Sequence, residues 1–158
     1  MDEIKFDSPH AYRGYLINKF CELEIKISNY LALTFGNGND DILTILVDRI
    51  TFEAKRLAYK DLLNRREIAN GFVKTKSNKY PHTFWMNELR ELIEIRNQFA
   101  HFILAQDNER ECVIALIEFR NSAGVIIYTK DMYDAILERI NHVEHFIETT
   151  YSHFNNHP

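Results

Sequence analysis

Between residues 16 and 34 the chain places Leu16, Phe20, Leu23, Ile27, Leu31 and Thr34 at steps of three and four. That spacing gathers side chains along one stripe of an α-helix and would scatter them over both faces of a strand. Ser8-Pro9 supplies a cap and a first-turn proline for this helix, predicted over about 8–35, and "GNGND" (36–40) ends it with turn chemistry. The pattern then recurs. Asp40 or Asp41 caps a second predicted helix over about 41–63, carrying Leu43, Leu46, Val47, Ile50, Ala54, Leu57 and Leu62. Pro81 precedes a third over about 82–104. Asp131 caps a last one over about 131–154, with Tyr133, Ile136, Leu137, Ile140, Val143, Ile147 and Phe154 on one face. Four such stripes bury one another most simply as a helical bundle, so the predicted fold is mainly α, an up-and-down bundle of about four long helices.

Two stretches break the pattern. In "NRREIANGFVKTKSNKY" (64–80) the periodicity fades, which predicts a loop or a short irregular helix. In "CVIALIEF" (112–119) and "VIIYT" (125–129), joined by "RNSAG", the residues turn β-branched and aromatic. These predict a β-hairpin over about 112–129, inserted before the last helix. The whole, 1–158, reads as a single domain long enough to bury a core. Cys21 and Cys112 make neither a metal-ligand spacing nor a disulfide framework, and Cys21 reads as a core thiol. With no secretory signal and no run of about 18 apolar residues, the expectation is a reduced, soluble, cytoplasmic protein with no membrane partner.

The third helix carries an anomaly, "EIRNQFAHFIL" (94–104). Successive helical residues turn by about 100°, which puts Trp85, Leu89, Leu92, Ile93, Phe99, Ala100 and Ile103 within roughly 60° of Arg96. Arg96 thus occupies the middle of an apolar stripe. Asn97, Arg90, His101 and Glu94 share a polar sector roughly 100–160° away, where Asn97 and His101 are an i,i+4 pair. The plain structural account of Arg96 is an ion pair with Glu22 or Glu24 of the first helix. His101 alone reads as a surface or packing histidine.

Together the residues say more. "RNQFAH" (96–101) fits R-N-x-x-A-H and resembles the signature of the HEPN superfamily, with all four fixed positions present. By average residue usage such a match arises by chance in a chain this long on the order of once in a thousand or less. The motif also falls late in a long apolar helix with a further helix to follow, and the bundle would cover essentially the whole chain. The resemblance implies a metal-independent endoribonuclease that needs no cofactor, of the kind found as toxins and antiviral defence effectors. It implies a homodimer whose motif helices face one cleft, and an antitoxin or nucleotidyltransferase partner. Carried onto this chain, Arg96 and His101 are the catalytic pair and Asn97 the polar residue following the arginine. The residue types suit the reaction: histidine exchanges protons near neutrality, and arginine's planar fork holds phosphate oxygens. The competing expectation is a non-catalytic HEPN-like module that binds a partner protein or a nucleotide.

Other candidates are weaker. Against a net charge of −4, residues 60–79 gather Lys60, Arg65, Arg66, Lys74, Lys76 and Lys79. These could contact RNA phosphates, with Phe72 and Tyr80 stacking on bases, although a solvated basic surface is the preferred account. In the last helix His142 and His145 lie near Glu138, with His153 and His157 beyond. No third ligand has a convincing spacing, so no metal site is expected.

Overall fold

The computed structural model describes residues 7–36, 45, 47–105, 113–118 and 124–155. Among them lie four long helices, α1 (Pro9–Gly36), α2 (Phe52–Ala69), α3 (Thr83–His101) and α4 (Lys130–Asn155). Three short strands separate the last two helices: β1 (Ile103–Ala105), β2 (Ile114–Ile117) and β3 (Val125–Tyr128). The fold is mainly helical with a small antiparallel sheet inserted before the last helix, as the sequence pattern predicts. The expected turn at 37–40, the cap at Asp40 or Asp41, Leu43, Leu46, Cys112 and hairpin-loop residues 120–123 lie outside the described residues.

The stripes are buried against one another. Leu16, Phe20, Leu23, Ile27 and Leu31 of α1 meet Leu89, Leu92 and Phe99 of α3 and Tyr133, Ile136, Ile140, Val143 and Ile147 of α4 in one core. Contacts between helices give their directions. Tyr12 packs on Tyr133 near the starts of α1 and α4, and Lys26 pairs with Glu144 and Glu148 further along both. Lys55 reaches Glu24 at 2.7 Å and Tyr59 packs edge-on against Tyr30, so α2 advances the same way as α1. Arg56 meets Met86 and Asn64 meets His82, so α3 runs against α2. Directions therefore alternate from α2 onward, and α3 runs opposite to the other three.

Element ends differ from the periodicity in four places. Asp131 does not cap the last helix: α4 begins at Lys130, and Thr129 Oγ1 accepts from Met132 N at 3.3 Å, which makes Thr129 the cap. The predicted second helix is broken: residues 45, 47 and 48 are helical, but α2 itself begins at Phe52. Residues 49–50 form a turn and bend, Thr51 is extended (φ −67, ψ 157), and its hydroxyl accepts from Ala54 N at 3.2 Å. A side-chain oxygen competing for a backbone N–H starts a helix rather than continuing one. At the other end α2 runs past 63 to Ala69 because "NRREIA" is rich in helix formers. It stops in a Schellman arrangement, with Gly71 N donating to Ile68 O, Phe72 N to Glu67 O, and Gly71 at φ 85. Lastly, α3 ends at His101 rather than 104. Phe102 is extended (φ −82, ψ 152), and Ile103, Leu104 and Ala105 pair with Ile117, Leu116 and Ala115. The expected two-stranded hairpin is thus the larger part of a three-stranded sheet, order β1-β2-β3.

Five side chains placed on a stripe or in the core are exposed: Cys21, Thr34, Ile50, Leu57 and Ile103. Cys21 follows the buried Phe20 and so stands about 100° off the α1 stripe. Ile50 lies in the bend before α2.

Buried phenols fasten the helices. Tyr133 Oη donates to Tyr12 O at 2.8 Å, and Tyr59 Oη lies 2.6 Å from Thr150 Oγ1. Burial pushes the Tyr30, Tyr59 and Tyr133 phenols well above the ordinary tyrosine range. A raised folded-state value stabilises the fold below the unfolded value near pH 10 and loses that contribution above it, because the unfolded chain gives up protons first. Urea unfolding followed across alkaline pH should show stability falling once pH passes about 10. Flat stability there would mean that these hydroxyls meet water.

Candidate functional site

Arg96, Asn97 and His101 occupy the last two turns of α3, at the end of the bundle where the sheet begins. Apolar spacing builds the helix: Met86, Leu89, Leu92, Ile93 and Phe99 are its buried residues. Arg96 points into the same angular sector yet is only half-buried, while Asn97 and His101 are exposed. A long stem permits this, since its methylenes cover apolar surface while the guanidinium reaches the rim.

The ion pair expected for Arg96 does not form. Glu22 is engaged by Lys19 at 2.6 Å and Glu24 by Lys55 at 2.7 Å. Arg96 instead donates from Nη1 to Asn97 Oδ1 at 3.3 Å, which turns the guanidinium toward the polar sector. His101, four residues after Asn97, lies on that same side one turn on. The structure thus brings the arginine head toward the side that carries Asn97 and His101.

One neighbour escaped the sequence reading. Arg13 of α1 donates from Nη2 to the carbonyl of Ala100 at 3.0 Å, across 87 positions of sequence. It satisfies one of the carbonyls that a helix C-terminus leaves open, beside His101. No local pattern around Arg13 announces this contact, because it depends on how α1 crosses the end of α3.

The basic residues of 60–79 gather elsewhere. Lys60, Arg65 and Arg66 belong to α2, whereas Lys74, Lys76 and Lys79 are exposed in the irregular segment leading to α3. Phe72 and Tyr80 pack on one another, centroids 5.2 Å apart, Tyr80 stacks on His82, and Lys74 Nζ lies 5.4 Å over the Tyr80 ring. Beside them opens a cleft of about 340 Å³ lined by Arg66, Glu67, Asn70, His82, Trp85 and Thr150, among others. This basic end and the Arg96–His101 end are opposite ends of α3, separated by roughly 25 Å of helix. His142 stands 4.0 Å from Glu138 Oε1 with both side chains largely exposed, and no group of three metal-binding side chains occurs among the described residues. No described helix is long and apolar enough to cross a membrane.

Compared with family models, with curated proteins and with solved structures, the chain finds no match in any of the three.

His82 lies at the cleft. It is buried, its Nε2 donates to Asn64 Oδ1 at 2.9 Å, and burial together with the charge of Lys60 holds its pKa below the ordinary histidine range. A depressed folded-state value contributes stability above the unfolded value, near pH 6.5, and that contribution is lost as pH falls through the folded value. Chemical denaturation at successive pH values should therefore show a loss of stability on acidification below about 6.5. His82→Gln should reduce that slope, and an unchanged slope would remove His82 from the account.

Proposed function

We propose that the protein is a metal-independent endoribonuclease acting through Arg96, Asn97 and His101, as a toxin or antiviral defence effector in the cytoplasm. The observation that carries this reading is the intact R-N-x-x-A-H hexapeptide together with the turn of the Arg96 guanidinium onto Asn97, on the exposed side that holds His101. In RNA the 2′-oxygen attacks the adjacent phosphorus and the bond to the 5′-oxygen breaks, leaving a cyclic phosphate and a 5′-hydroxyl. The proton of the 2′-hydroxyl passes to a base, and an acid returns one to the leaving oxygen. Histidine serves either role near neutrality, and a guanidinium stabilises the charge that builds on the phosphate oxygens.

Arg96 and His101 leave the helix about 140° apart, so a second copy of the chain supplies the complementary groups in the arrangement we favour. A homodimer would set two arginines and two histidines around one phosphodiester. Lys60, Arg65, Arg66, Lys74, Lys76 and Lys79, at the far end of α3, would take the flanking stretch of a longer RNA. An antitoxin or a nucleotidyltransferase would be the controlling partner.

A second reading is favoured by one feature of the sheet. Ile103, Ile117 and Val125 lie side by side across the three strands, and Ile103 and Val125 are about half exposed, directly after the motif. An apolar row at that position suits a HEPN-like module that binds a partner protein, or a nucleotide, without cutting RNA.

Cleavage of total RNA in the presence of EDTA separates the two. Wild-type protein should produce fragments ending in a cyclic phosphate, and folded His101→Ala and Arg96→Ala should each be slower by a factor of about 100 or more. Wild-type protein that leaves several RNAs intact at high concentration would exclude the nuclease and leave the binding module.

A further inference from the structure

Two arginines held against the helices face carboxylates. Arg56 takes both oxygens of Glu53 at 2.7 and 2.6 Å, and Arg139 bridges Glu88 and Glu91, each at 2.8 Å. Arg13 and Arg96 differ. Both are half-buried, both come to the C-terminal end of α3, and among the described residues neither has a carboxylate within ion-pair distance. Two guanidinium groups brought to one helix end without a carboxylate suit an anion between them.

Their placement is specific. Ala100, whose carbonyl holds Arg13, stands about 40° around α3 from Arg96 on one side and about 60° from Asn97 on the other. Arg13 therefore reaches α3 in the angular gap between Arg96 and the sector of Asn97 and His101. It spends one of its five N–H groups on that carbonyl, and the rest of the fork is the geometry that matches phosphate oxygens. Its backbone is held in register, since Tyr133 Oη donates to the carbonyl of the adjacent Tyr12 and the two rings meet edge-on at 5.0 Å. The negative end of the α3 dipole keeps the guanidinium there before any ligand arrives.

We propose that Arg13 and Arg96 form a two-arginine site for a phosphodiester, with Arg13 a phosphate-binding residue supplied by α1. The identity of the anion as an RNA phosphate rests on the ribonuclease reading; the site itself rests on the two guanidinium groups. Arg13 holds the phosphate from α1 beside Arg96, on the side of α3 that leads to Asn97 and His101.

Binding of a short, fluorescent, fully 2′-O-methylated RNA, which cannot cyclise, tests this directly. Anisotropy titrations over a range of salt would compare wild type with Arg13→Gln and Arg13→Lys. Glutamine keeps a polar side chain and removes the charge, and lysine keeps the charge and loses the fork. Arg13→Gln should bind about tenfold more weakly and lower the slope of log K against log salt by about 0.7, one phosphate contact on a single strand. Arg13→Lys should keep the slope while losing part of the affinity. A glutamine variant with wild-type affinity and slope overturns the proposal, as does wild-type protein that does not bind the probe. If wild type binds with this dependence on Arg13 but cuts no RNA, the nuclease reading fails and the anion site stands. If wild type cuts RNA and the glutamine variant binds and cuts equally well, the site fails and the nuclease reading stands.

Discussion

The bundle depends on burial of the α3 stripe. Met86, Leu89, Leu92, Ile93 and Phe99 enter the core, each contributing about 1.5–3 kcal/mol on removal from water. α3 runs against α1, α2 and α4 and packs on all of them. Charge fastens it from two flanks: Arg56 of α2 donates to Met86 O at 3.2 Å, and Arg139 of α4 grips Glu88 and Glu91. Where this helix lies and where it stops therefore decide what the rest of the molecule can present.

Its two ends present different chemistry for that reason. At the N-terminal end the irregular segment after α2 brings aromatic rings and lysines to an open cleft. At the C-terminal end Arg96, in the middle of the apolar stripe, is half-buried and sends its charged head to the rim. Arg96 is tolerated there because its stem is apolar and its guanidinium bonds to Asn97. The same position earlier in the helix would face the closed core, where an unpaired charge costs several kcal/mol, on the order of the stability of a whole domain.

Much of the fold was legible because a helical stripe is a local property. Leu16, Phe20, Leu23, Ile27 and Leu31, and Tyr133, Ile136, Ile140, Val143 and Ile147, are buried where their spacing places them, while Leu137 is partly buried. Both ends of the second helix depart from the apolar periodicity for equally local reasons. A threonine with an extended backbone starts it and a glycine at positive φ ends it, and apolar periodicity registers neither. The end of α3 was misread for a different reason. Ile103 and Leu104 continue the apolar pattern of the helix, but pairing with Ile117 and Leu116 takes them into a sheet.

The sequence alone determined the helical stripes, the strand-forming runs and the hexapeptide "RNQFAH" with its misplaced arginine. Tertiary structure decided the partners of the charges. Glu24 goes to Lys55 rather than to Arg96, and Arg13 comes to rest on Ala100, 87 positions away. Periodicity follows from the geometry of a single helix and is written in neighbouring residues. Which charges meet depends on how separate helices cross, and that is settled only when the apolar stripes have been buried together.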